Sequence, residues 1–202
     1  VKLAARRKGS ERINLYKEAY AIHSRLQCDS AVNTLRRLSS VPEADSDDNL
    51  RHYLAISNGE IMGIMGLYND AEQSLKNINS ASLSHENRLF YYQTLRSVYG
   101  WMADFAHETP SYGKYVTLTN TFRDSIIATE TDKIAHDIAL ADKLIVNNEP
   151  DEAIKLLLDN LADSQHEERI YLYFNLAEAY RILGDTKSQT YYLILTSISD
   201  LR

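Results

Sequence analysis

From residue 132 onward the sequence repeats itself with a period of 36: Leu140 falls on Leu176, Ala141 on Ala177, Leu144 on Tyr180 and Asn148 on Gly184. Periods of about 20–50 residues mark stacked supersecondary units, each too small to bury its apolar face alone and each covered by its neighbours. The unit here is a helical hairpin, because apolar residues recur at the three-and-four spacing of a helix face and period-two alternation is almost absent. Only three prolines and seven glycines punctuate the 202 residues. That is far too few turn signals for a sandwich or barrel.

The same reading extends to the N-terminus as a series of antiparallel helices. The first spans about Ser10 to Leu26 and carries two apolar stripes, Leu15-Ala19-Ile22-Leu26 and Ile13-Tyr16-Tyr20, which predicts two buried faces. A short second helix, Ala31 to Ser39, takes Asp29 and Ser30 as caps and stops before Pro42. The third places Leu50, Tyr53, Leu54, Ile61, Met65 and Tyr68 on one side and holds Gly59, Gly63 and Gly66, which suit close approach of another helix. A short fourth helix follows with Ala71, Leu75 and Ile78, then a long one from Ser84 whose partner runs from Lys114 to about Thr129. The last four helices are Asp132 to Val146, Pro150 to Leu161, one opened by a Ser164-Gln165-His166-Glu167 capping box and stopped at Gly184-Asp185, and a final one with Tyr191, Ile194, Leu195 and Ile198. The expected fold is all-α: about five hairpins in a right-handed α–α superhelix, residues 1–202 forming one repeat domain.

Tyr173-Phe174-Asn175-Leu176-Ala177-Glu178-Ala179-Tyr180, followed by Gly184-Asp185, resembles the tetratricopeptide repeat (TPR), with Gln189 and Thr196 standing where that family puts alanines and Asp137 replacing its aromatic one repeat earlier. A narrower resemblance covers nearly the whole chain. It rests on Leu15-Tyr16-Lys17-Glu18-Ala19-Tyr20, Cys28-Asp29-Ser30-Ala31, Phe90-Tyr91-Tyr92, Arg123-Asp124-Ser125 and the ending Tyr191 to Leu201. These look like the repeat region of certain bacterial transcriptional regulators. The resemblance implies a signal sequence before the repeats, a membrane-spanning helix and a regulatory module after them, and hence an extracytoplasmic sensor. On this reading the chain is a piece of a longer protein, and it meets a membrane only through flanking segments. The alternative is a cytoplasmic scaffold or adaptor for protein–protein interaction.

The formal charge of −6 argues against direct binding to nucleic acid. The basic group Lys2, Arg6, Arg7, Lys8 and Arg12 reads as a solvated first turn or as a contact with a flanking segment or partner. Lone Cys28 excludes an internal disulfide and a multi-cysteine metal site. The six histidines are dispersed, and neither Asp104 with His107 nor Asp132 with His136 has the second motif that a carboxylate-bridged metal pair needs. The acid pairs Asp47-Asp48 and Glu167-Glu168 sit beside helix starts, where the dipole favours them. No catalytic motif, cofactor fingerprint or metal-ligand set gives a reason to expect an enzyme, a cofactor or a metal.

Fourteen tyrosines against four phenylalanines and one tryptophan are unusual. Tyrosine suits a repeat core whose hydroxyls find partners, and it equally suits a recognition groove, since it offers large contact area at small entropic cost. In this repeat class the first helix of each hairpin lines the concave face, which makes Tyr16, Tyr20, Tyr53, Tyr92 and Tyr173 the candidates for binding a protein or peptide. Each of them also fits the core.

Overall fold

A computed structural model describes residues 1–200. Its ten helices follow in order: α1 (Gly9–Leu26), α2 (Cys28–Ser39), α3 (Asp48–Ile64), α4 (Tyr68–Lys76), α5 (His85–Phe105), α6 (Tyr112–Thr129), α7 (Lys133–Val146), α8 (Pro150–Asn160), α9 (His166–Leu183) and α10 (Thr186–Asp200). Short 3-10 turns occupy Ala4–Arg6, Pro42–Asp45 and Ser80–Ser82, and no strand occurs among the described residues. The fold is all-α and TPR-like, and it divides into two compact units, Val1–Phe122 and Arg123–Arg202, the division falling inside α6.

Three hairpin turns share one chemistry. Gly66, Asn148 and Gly184 take left-handed φ values of 79°, 64° and 74°. In each case the next residue's N–H reaches back to a carbonyl five residues earlier: Leu67 to Met62 at 2.8 Å, Glu149 to Leu144 at 2.8 Å, Asp185 to Tyr180 at 3.0 Å. This is the Schellman closure, which satisfies carbonyls left open at a helix end. Glycine meets the left-handed requirement without a Cβ penalty, and asparagine is the side chain that tolerates it best. Gly66 thus ends α3 rather than lying inside it, so Met65 is 55% exposed and Tyr68 opens α4 instead of continuing the α3 stripe.

In the first unit the leading helices α1, α3 and α5 run parallel and in register. Lys17 Nζ sits 4.4 Å from the Tyr53 ring centroid, the Tyr20 hydroxyl lies 3.1 Å from the Ser57 carbonyl, and Tyr53 stacks on Phe90 at 5.4 Å. Gly59 faces α4 and Gly63 faces α5. A Cβ on Gly59 would lie 2.6 Å from Leu75 Cγ, and one on Gly63 2.6 Å from Trp101 Cζ3. The close approach expected of them is therefore made by side chains, and no break occurs at Gly59. The two faces expected of α1 are not both buried: Ile13, Tyr16 and Tyr20 are, whereas Ile22 is 58% and Leu26 72% exposed, since α1 packs chiefly on α2 and on the 3-10 turn at Ala4–Arg6. Of the basic group, Lys2, Arg6, Arg7 and Lys8 are exposed, and Arg12 pairs with Glu43 at 2.8 Å.

The second unit buries Ala141, Ala153, Leu157, Leu172, Leu176 and Ala179 completely. Asn160 ties α7 to α8 by donating to Asp137 at 3.0 Å while accepting from Lys133 at 2.9 Å. Arg123, 7% exposed, holds Asp142 through Nε at 2.7 Å. Helix starts depart from expectation at three places. Helix α6 begins at Tyr112, two residues before the expected Lys114. The N-cap of α2 is Gln27, which leaves Asp29 in the first turn. The capping box of α9 is set one residue later, with Gln165 N–H donating to Glu168 at 2.6 Å; the side chain of Glu167 lies outside the described residues, as does Leu201. Asp47 and Asp132 cap α3 and α7, Asp47 accepting from the Asn49 and Leu50 N–H groups.

Candidate functional site

Along the second unit, α7 and α9 leave a groove of about 450 Å³ between them. Its apolar wall is formed by Val146 and Phe174, respectively 50% and 49% exposed, with Ile145 and Ile182 deeper. Its polar wall is formed by Asp142, Asn148, Asn175, Glu178 and Arg181. Two ion pairs neutralise most of that charge, Arg123 with Asp142 at 2.7 Å and Arg181 with Glu178 at 2.9 Å. What remains is amide chemistry. Asn175 is 8% exposed and spends one N–H on the Tyr171 carbonyl at 2.9 Å; its side chain makes no other hydrogen bond among the described residues. A groove with exposed aromatic surface and carboxamides suits an extended peptide, whose backbone offers both donors and acceptors.

The five tyrosines fall into two groups. Tyr16, Tyr20 and Tyr53 are buried, at 5%, 2% and 9% exposure, and belong to the core of the first unit. Tyr92 and Tyr173 are half-buried and lean on second helices, Tyr92 against Phe122 at 6.1 Å and Tyr173 against Tyr192 at 6.1 Å. On α9 the groove face starts at Phe174, one residue and about 100° of helix turn from Tyr173. Phe174, Asn175, Asp142 and Val146 are the residues that sequence reasoning passed over. The signal was present in the string Tyr173-Phe174-Asn175, but a core tyrosine and a groove phenylalanine look alike until the neighbouring helix is placed.

On the leading helices of the first unit, the Tyr20 hydroxyl donates to Glu60 at 2.5 Å. Burial pushes the Glu60 carboxyl above its usual range, against the hydrogen bond from Tyr20 and the charge of Arg25, which pull it down. Burial likewise raises the Tyr20 phenol, and the charge of Glu60 adds to it. The phenol is thus held neutral as donor and the carboxylate is its acceptor. Around this pair Lys17 lies 3.8 Å from Glu86 and over the Tyr53 ring. Among the described residues no group of three or more His, Cys, Asp or Glu side chains is placed to hold a metal ion, and no helix is long and apolar enough to cross a membrane.

A family model described as the SusR N-terminal TPR domain matches residues 2–202. The chain belongs to that family. The match spans both compact units, including the first, where the repeats are least regular in sequence. No curated protein and no solved structure matches the chain. Membership of a TPR family makes the chain an interaction module of the protein-binding kind, in keeping with the stacked-repeat surfaces on which such modules work.

Proposed function

We propose that this chain is the non-catalytic sensor module of a membrane-anchored bacterial transcriptional regulator, carried on the extracytoplasmic side, and that it binds a protein or peptide in the α7–α9 groove. The observation that carries the reading is the match of residues 2–202 to a domain described as N-terminal in SusR. A TPR domain that is N-terminal in SusR supports the reading of an output module after it, and the resemblance of the Tyr191 to Leu201 ending to regulator repeat regions supports the same assignment. The groove supplies the physical means: an apolar wall of Phe174 and Val146 beside the carboxamides of Asn175 and Asn148. A signal passes only if the ligand binds one conformation better than another, since a ligand moves an equilibrium only by its differential affinity.

Two measurements test this. The natural gene, from its own start through Arg202, is fused either to alkaline phosphatase, active only outside the cytoplasm, or to a reporter active only inside. Active phosphatase is the expected result, and activity of the cytoplasmic reporter alone would sink the extracytoplasmic assignment. For the groove, peptides are selected from a random displayed library on the wild-type chain and counter-tested on Phe174→Ala and Asn175→Ala. Selected peptides should weaken by roughly 10-fold or more on both variants, the loss expected for a central aromatic or a buried hydrogen-bonding group. Undiminished binding to both would remove the groove as the site.

A further inference from the structure

A second pocket, of about 250 Å³, opens in the first unit between the second helix of the first hairpin and the first helix of the next. From α2 it takes Leu35, Arg36 and Ser39, and from α3 Leu54, Asn58 and Ile61. Leu35 and Ile61 are buried and Leu54 half-buried, so the floor is aliphatic. Arg36, Ser39 and Asn58 are exposed and form the rim. No acidic side chain lines it.

The state of Arg36 decides what this pocket takes. Among the described residues its guanidinium meets no carboxylate, and its one hydrogen bond is a long one, 3.5 Å, to Asn33. Arginine presents a planar fork matched to a carboxylate, while the floor rewards removal of aliphatic surface from water. The end of α2 carries about half a negative charge from its dipole, less than the two guanidiniums of Arg36 and Arg37 in that last turn. The volume lies below the ~300–1,000 Å³ typical of pockets for drug-sized ligands. It suits one branched side chain with an acid group attached.

We propose that this pocket binds a short aliphatic carboxylate, its alkyl part on Leu35, Leu54 and Ile61 and its acid group on Arg36 with the Asn58 amide beside it. Such a group comes either from a free branched acid or from the C-terminal residue of a partner chain. The site lies in the first unit, apart from the α7–α9 groove, so it stands or falls independently of the function proposed above.

The test follows the methyl resonances of Leu35, Leu54 and Ile61 during titration with N-acetyl-leucine, N-acetyl-leucinamide and a short peptide ending in free leucine. Saturable shifts with the acid are expected at a Kd on the order of 1 mM, as ligand efficiency dictates for so small a probe. The amide should bind roughly 10-fold more weakly than the acid, Arg36→Gln should weaken the acid by a similar factor, and Arg37→Gln should leave it unchanged. Tighter binding of the peptide than of the free acid assigns the ligand to a chain terminus; the reverse assigns it to a small metabolite acid. Absence of shifts at these methyls with all three probes overturns the proposal. So does binding that Arg36→Gln leaves intact.

Discussion

Gly59→Ala is a sharp test of the packing of α3 on α4 within the second hairpin, because two opposing terms are both legible. Alanine in place of glycine within α3 gains about 1 kcal/mol of helix propensity. Against that, its Cβ would stand 2.6 Å from Leu75 Cγ and 2.7 Å from Cδ2. Leu75 is fully buried, and the atom struck is its branch carbon rather than a flexible tip. Overpacking of this kind costs about 1–3 kcal/mol, and the rigid site argues for the upper half of that range. The single variant should therefore lose about 1–2 kcal/mol net.

Leu75→Ala alone should cost about 3 kcal/mol through lost transfer energy and a cavity. In that background the new methyl meets no branch carbon. Gly59→Ala then recovers its propensity and returns about 0.8 kcal/mol by partly refilling the space, so the double variant should be more stable than Leu75→Ala by about 1–2 kcal/mol. The sign of the Gly59 substitution reverses between backgrounds, a coupling of about 2–4 kcal/mol. Urea unfolding followed by circular dichroism and by the fluorescence of Trp101, the one tryptophan of the chain, which packs in the same cluster as Leu75, measures all four corners. Equal effects of Gly59→Ala in both backgrounds, within about 0.5 kcal/mol, would refute the contact.

Three further substitutions probe the rest of the chain. Glu60 has its carboxyl raised by burial, so whatever stability it contributes is full below the ordinary carboxylate pKa of about 4.3 and is lost as pH rises through the folded value. Glu60→Gln should flatten the fall in urea midpoint with rising pH across that window, and an unchanged slope would show that Glu60 does not titrate there. Arg123→Ala removes one partner of a half-buried Asp142; it should cost about 2–3 kcal/mol, below the about 3–5 of a fully buried pair because Asp142 is 26% exposed, and a loss under about 0.5 kcal/mol by urea midpoint would rule out a stabilising pair. Gly184→Ala forces a Cβ into left-handed φ at 74° and should cost about 1–2 kcal/mol, whereas Asn148→Gly, at the equivalent turn, should be neutral or stabilising; thermal melts of the two variants shifting the same way would contradict the shared turn geometry.

Most of the helices were legible because their evidence is local. Pro150 at the first position of α8, Asp132 before α7 and Gly184 after α9 are punctuation that acts within one turn. Errors of one or two residues arose where two local signals competed. Ser164 and Gln165 both precede a glutamate at the right distance, and the chain takes the later pair. Gly59, Gly63 and Gly66 lie in one apolar run, yet only the third adopts left-handed φ, since the first two face Leu75 and Trp101 across helices that no local rule places. The exposure of Ile22 and Leu26 has the same origin: a stripe records that a face is apolar and says nothing of whether a neighbour is there to cover it.

The repeat itself shows how far physical register outlasts sequence likeness. In the first unit the hairpins are less regular in sequence, but Tyr20 still meets Ser57 at a separation of 37, Tyr53 meets Phe90 at the same separation, and Tyr68 meets Phe105 likewise. A stacked hairpin constrains length and the volume of its inward side chains; it does not constrain which aromatic or aliphatic residue supplies that volume. The core is therefore predictable as a pattern, while the groove is not, because α7 and α9 reach it with Phe174, Asn175 and Val146 at positions the stack leaves free. On the function proposed above, those free positions on α7 and α9 carry the specificity of the groove. For the same reason a ligand is found by testing the groove directly and cannot be inferred from the repeat that builds it.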